Sequence, residues 1–223
     1  ARVDAAQMKD CYWADRHFLA VPLGGDDSYF ICVDNLNQQN SQQSYLWQLQ
    51  AHHEARITIH EQRRATIAGP QAALDLTFAW PGPSDCPPAP HTFALRQDVK
   101  DWAWPYGKDA PRTHEKSGLM ISSDRRPRLL GELHGWNGQL LTVIAPRRLA
   151  AAPRVVQVVE HHRLLSVTVA GPGFTDTIVA ALDHACIQLP TLKAMTELAL
   201  VRRDTQGKIL ATWSVDGSPM QAG

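Results

Sequence analysis

Short runs in which apolar and polar residues alternate recur along this chain, divided by Gly, Pro, Asn and Asp, and no stretch sustains a 3.6-residue period over several turns. The pattern predicts an all-β chain, a two-sheet antiparallel β-sandwich of many short strands, supersandwich-like, without internal repeats. Ser28 to His60 anchors the reading. Tyr29-Phe30-Ile31-Cys32-Val33 is aromatic and β-branched, which suits a pleated buried surface, so it reads as a strand ending on Asp34. A loop rich in Asn, Gln and Ser follows. Tyr45 to Gln50 then alternates, with Tyr45, Trp47 and Leu49 on one face, and leads to the histidine pair His52-His53.

Residues 1–10 are polar and read as a lead-in or the end of a preceding region; residues 11–223 read as one β-sandwich domain. Cys11 to Pro22 is a strand that turns through Gly24-Gly25-Asp26-Asp27 into the Tyr29 strand, an antiparallel hairpin. Gly69-Pro70 makes a turn between two further strands, and the five prolines of Pro81 to Pro90 force an irregular surface loop. Beyond it, Leu119 to Ser123, Pro127 to Trp136 and Leu140 to Pro146 are strands, the last two joined by Asn137-Gly138, which predicts a type I′ hairpin. Val155 to Glu160 and Leu164 to Ala170 flank His161-His162-Arg163, and Thr205-Gln206-Gly207 separates the strands Met195 to Arg203 and Ile209 to Val215.

Charge narrows the partners. Lys and Arg total 22 and so do Asp and Glu, so no global field draws in nucleic acid or an anionic membrane. No apolar stretch approaches the roughly 18 residues a membrane span needs, and the first residues lack a signal-peptide pattern. The chain opens on Ala1, which suggests processing or a domain cut from something longer. Its four cysteines are far apart, without a C-x-x-C pair, and read as structural core thiols, with one long-range disulfide as the alternative in an exported protein.

Candidate chemistry is sparse. Trp102, Trp104 and Tyr106 cluster among turn residues, the kind of ring surface on which sugars stack; a loop folded over its own apolar residues is the other reading, and the slightly favoured one. Arg125-Arg126-Pro127-Arg128, Arg147-Arg148 and Arg202-Arg203 supply planar guanidiniums suited to carboxylate or sulfate groups. A divalent metal, zinc or calcium, would draw on His17 and Asp34 from neighbouring strands, with Gln48, Gln50, His52 or His53 as a third donor. Neither a G-x-S-x-G elbow nor a phosphate-binding loop is present.

The succession SYFICVDNLN, SYLWQLQAHHEARI, RRATIAGPQAALDLTFAWPGP, QLLTVIAPRR, GFTDTIVAAL and LALVRRDTQGKIL resembles the C-terminal β-sandwich of the heparinase II/III-like polysaccharide lyases, over about Asp15 to Val215. The resemblance implies a periplasmic lyase that cleaves uronic-acid-containing glycans by β-elimination. It implies an α/α toroid partner, carrying most of the catalytic residues and lying N-terminal to the sandwich. It also implies a structural metal site in which Asp34 matches the aspartate and His17 its histidine partner. Two positions depart from that pattern: Asp15 stands near where the sandwich histidine would fall, and Gln48 and Gln50 stand where the third ligand would fall. Three roles remain open on the residues: the sandwich of a lyase, a non-catalytic carbohydrate-binding module, and a purely structural sandwich.

Overall fold

The computed structural model describes residues 2–4, 13–25, 27–37, 42–82, 91–101, 113–114, 119–120, 125–161, 163–181, 186–215 and 217–223, and every helix or strand element among them is a strand. In chain order these are β1 (Arg2–Asp4), β2 (Trp13–Gly24), β3 (Asp27–Asn37), β4 (Gln43–Gln50), β5 (Arg56–Glu61), β6 (Arg64–Ala68), β7 (Ala72–Ala79), β8 (Thr92–Asp101), β9 (Thr113–His114) and β10 (Leu119–Met120). They continue as β11 (Arg125–Gly135), β12 (Asn137–Arg148), β13 (Val156–His161), β14 (Leu164–Gly171), β15 (Phe174–Ala181), β16 (Ile187–Leu189), β17 (Leu192–Ala194), β18 (Leu198–Asp204), β19 (Ile209–Ser214) and β20 (Met220–Ala222).

Period-two alternation decides how these strands stack. The largest sheet has seven strands in the order β1-β2-β3-β12-β7-β6-β5. Odd-numbered residues of β3 and β12, among them Tyr29, Ile31, Val33, Leu141 and Val143, pack on Leu165, Val167, Ile178, Leu198 and Leu200 of a five-stranded sheet, β13-β14-β15-β18-β19. Even-numbered residues on the other face, including Leu76, Phe78 and Leu140, pack on Trp47, Phe93, Leu129 and Leu133 of the three-stranded sheet β4-β11-β8. The far face of the five-stranded sheet buries Val179, Ala199 and Val201 against Ile187, Leu192 and Ala194 of β16-β17-β20. The chain is thus an antiparallel all-β sandwich, as its pattern predicts, but built of four stacked layers. Tyr29, Phe78, Leu129 and Leu141 are fully buried, each stabilising the fold by about 1.5–3 kcal/mol.

Three local expectations change. Arg2–Asp4, read as part of a lead-in, forms an edge strand whose Arg2 pairs with His17. The Tyr45 strand, whose Gln48 or Gln50 would have to lie near Asp34 to complete the expected metal site, does not pair with β3. It crosses to the three-stranded sheet and pairs with β11, where Trp47 meets Phe78 edge-on at 5.1 Å. Asn137-Gly138 is not a hairpin turn, because β11 and β12 belong to different layers and neither residue has the positive φ that a type I′ turn requires. Gly138 is instead a close approach, since a Cβ there would lie 2.5 Å from ring carbons of Tyr45.

Candidate functional site

The expected metal pair comes apart through a single residue of register. At the tip of the β2–β3 hairpin Gly24 is paired with Asp27, and carrying that register inward would set His17 opposite Asp34. A β-bulge between Pro22 and Gly24 shifts the pairing by one, so Arg16 faces Asp34 and His17 faces Val33. The two side chains therefore leave opposite faces of the sheet and cannot share an ion. His17, 3% exposed, points toward the five-stranded sheet, where its Nε2 lies 2.9 Å from Glu197 Oε1. Asp34, 5% exposed, points the other way and accepts a 2.5 Å bond from Arg16 Nε. The donor set thus fails the test a structural zinc or calcium would impose: Gln48 is held by Arg128 in another sheet, at 3.1 Å from its Nη1.

Asp34 nevertheless shapes its surroundings. Burial holds its carboxyl above the ordinary 3.8, because the bonds from half-exposed Arg16 and from the Cys32 thiol do not offset the lost hydration. Burial, reinforced by the Asp34 charge, pushes the neighbouring Cys32 thiol up to about 12 and keeps it protonated at neutral pH. On the opposite face, His17 joins a buried polar group with Asp15, Asn35 and Gln139, in which Gln139 Nε2 donates to Asn35 Oδ1 at 2.9 Å. Further along, Asp176 is wholly buried and accepts from Tyr29 Oη at 2.7 Å and from Arg202 Nε and Nη2 at 2.7 and 2.8 Å. That network ties the seven-stranded sheet to the five-stranded one.

Of the predicted sugar-binding residues, Arg125 and Arg126 lie on β11 of the three-stranded sheet. Antiparallel register pairs Arg125 with Asp101 and Arg126 with Lys100, so the arginine run at the start of β11 lies beside the end of β8. Trp102 is the next residue in the chain; Trp102, Trp104 and Tyr106 lie outside the described residues, as does the side chain of Arg125. Even-numbered residues of β4, β8 and β11 face away from the core cluster: Arg128 clasps Asp98 through Nε and Nη2 at 2.9 and 2.6 Å, and Ser44 Oγ lies 3.2 Å from His134 Nδ1. Arg96 lies 3.7 Å from Glu132 on the same face. Arg126 is partly buried there.

Two further groups stand apart from the expected sites, and of their members only Arg147 and the His52-His53 pair stood out in the sequence. His60, Thr66 and Asp75, on β5, β6 and β7, and Arg147 on β12 form a hydrogen-bonded ladder: His60 Nε2 to Thr66 Oγ1 at 2.8 Å, Thr66 Oγ1 to Asp75 Oδ1 at 2.7 Å, Arg147 Nε to Asp75 Oδ2 at 2.6 Å. With Arg64, Arg154 and Val156, the first three line a cavity of about 360 Å³. Alternation across three adjacent strands could have placed them on one face, had the strand order been known. The second group is the turn His52-His53-Glu54, whose ligand atoms lie within 4.8 Å of one another.

No protein-family model matches the chain, and a search of curated proteins finds no match.

Proposed function

We propose that this chain is the β-sandwich portion of a polysaccharide lyase resembling heparinase II/III, and that it holds an acidic, uronate-containing glycan against a catalytic α/α toroid supplied separately. The observation that carries the reading is the pairing of Arg125 with Asp101, which joins the arginine run to the start of the aromatic segment. Guanidiniums engage carboxylates or sulfates in two-point contacts, and aromatic rings stack on the apolar faces of sugars. Among the described charged residues on the face of the sheet turned away from the core cluster, Arg96, Arg126 and Arg128 outnumber Asp98 and Glu132, a balance that suits a polyanion. In the elimination itself a base takes the C5 proton, the electron pair forms the C4–C5 double bond, and the C4–O bond breaks as an acid protonates the leaving oxygen. Neutralising the uronate carboxylate stabilises the carbanion-like transition state. This sandwich contributes binding and positioning, and the toroid contributes the base and acid.

A second reading, a carbohydrate-binding module with no catalytic partner, is favoured by the engagement of His17 and Asp34 with protein groups rather than with a shared open site. The test is to titrate the purified chain with heparin, alginate and hyaluronan by calorimetry while following ultraviolet absorbance of unsaturated uronates. Binding to one of these without product is expected, weakened by Trp104→Ala and by Arg126→Ala. Product formation by the chain alone would overturn the division of labour, and failure to bind any acidic glycan would overturn both readings. Restored cleavage on adding a toroid-bearing partner would separate the first reading from the second.

A further inference from the structure

We infer that the turn between β4 and β5 is a surface site for a borderline transition-metal dication such as Zn²⁺ or Ni²⁺, held by His52, His53 and Glu54. These three are the only group of His, Cys, Asp or Glu among the described residues whose ligand atoms gather closely enough to share an ion.

The turn is built to present them. Ala55 N donates to His52 O at 2.9 Å and closes it, while Ala51 N donates to Pro127 O at 2.9 Å and pins its first arm to β11. Glu54 N donates to His52 Nδ1 in a long, weak 3.4 Å bond, so that nitrogen is unprotonated and a metal there would displace the Glu54 N–H from its lone pair. The two imidazoles lie against each other with ring centres 4.0 Å apart. His52 Nδ1 is 3.9 Å from Glu54 Oε2, and His53 Nε2 is 4.0 Å from Glu54 Oε1. Neither separation is a hydrogen bond, so these atoms surround a space without closing it.

Around a tetrahedral ion with bonds of about 2.0–2.1 Å, neighbouring ligand atoms sit about 3.3 Å apart. The two His–Glu distances run to different carboxylate oxygens. Ligand atoms within 4.8 Å of one another must close by at most about 1.5 Å to reach that spacing, which three exposed side chains can do without disturbing the core. Two imidazoles and one carboxylate leave a fourth position for water. That donor set favours Zn²⁺, Ni²⁺ or Cu²⁺ over Ca²⁺ and Mg²⁺, which prefer all-oxygen shells. The inference is independent of any glycan role.

The test uses the untagged chain at neutral pH, with Zn²⁺ alone measured by competition against a chromophoric chelator, and histidine ring NMR signals as a second readout. One saturable site is expected, with Mg²⁺ and Ca²⁺ failing to compete. The variants His52→Ala and Glu54→Gln should each weaken it by about 10–100-fold, the range seen when a supporting metal contact is lost. On adding Zn²⁺, the His52 and His53 signals should shift while those of buried His17 stay in place. The inference is overturned if no saturable Zn²⁺ binding occurs. It is equally overturned if binding is unchanged in the His52→Ala variant, which would move the ion to other histidines. Both substitutions lie on an exposed turn, and an unchanged thermal midpoint confirms that the variants fold.

Discussion

Two corners of the seven-stranded sheet lie beyond the layers packed on it, on opposite faces and at opposite ends. Among the described residues, the β5-β6 strands add nothing to the core facing the five-stranded sheet, and the β2-β3 strands add nothing to the core facing the three-stranded sheet. At the first corner His60, Thr66, Asp75 and Arg147 satisfy one another in a continuous ladder along the wall of a cavity. At the second, Phe18 and Phe30 stack at 5.5 Å beside Cys32, with the Arg16–Asp34 pair closing the row. One corner gives its carboxylate several donors, from Thr66 and Arg147. The other buries a carboxylate with a single charged donor and leaves an aromatic ring 43% exposed. Sheet surface beyond a core thus has two stable treatments, and they differ in how much of the charge is solvated by protein.

The largest effect that can sharpen this comparison comes from an interior reference. Asp176→Ala strands Arg202 and the Tyr29 hydroxyl between two sheets, and should cost about 3–5 kcal/mol in urea denaturation, as removal of one partner from a buried pair does. Asp75→Ala is the corner counterpart. Its pair with Arg147 is 16–18% exposed, so the loss should be about 2 kcal/mol, between the buried range and that of exposed pairs. Equal losses at the two positions would show that the ladder is as closed as the interior; a loss near zero at Asp75 would show that water already replaces it. Phe18→Ala at the second corner should cost about 1 kcal/mol, the worth of a partly exposed aromatic pair, and a neutral result would break the claim that Phe18 and Phe30 stabilise that face.

Much of the fold was legible because alternation is local. Tyr29, Ile31 and Val33 announce a buried face wherever their strand goes, and the Gly24-Gly25 and Thr205-Gln206-Gly207 turns appear where their residues require, with Gly24, Gly25 and Gly207 all at positive φ. Layer membership was not legible, because it depends on which distant strand wins the pairing. Nothing in Tyr45 to Gln50 says that β11 rather than β3 will be its neighbour. Asn137-Gly138 shows the same limit, since a glycine needed for the approach of Tyr45 looks identical in sequence to one needed for a turn. The candidate site failed at a finer scale. His17 and Asp34 would have faced each other but for one bulged residue, and a bulge between Pro22 and Gly24 has no unambiguous signature in a stretch that also holds a turn.

The smallest effect at neutral pH tests the second corner most directly. Asp34→Asn removes a charge that Arg16 meets from a half-exposed position, so stability at pH 7 should change by less than about 1 kcal/mol. Its pH dependence should change more visibly. Because burial raises the folded-state value of Asp34 above 3.8, the folded protein holds this proton more tightly than the unfolded chain. Its contribution to stability is therefore fully present below 3.8 and is lost as pH rises through the raised value. Thermal midpoints measured across that window should fall less steeply with pH in Asp34→Asn than in the parent protein. If the variant instead became relatively less stable as pH rises, Arg16 would outweigh burial. The second corner would then resemble the first: a carboxylate satisfied by its partners, in a row whose exposed aromatic surface alone distinguishes it from the ladder.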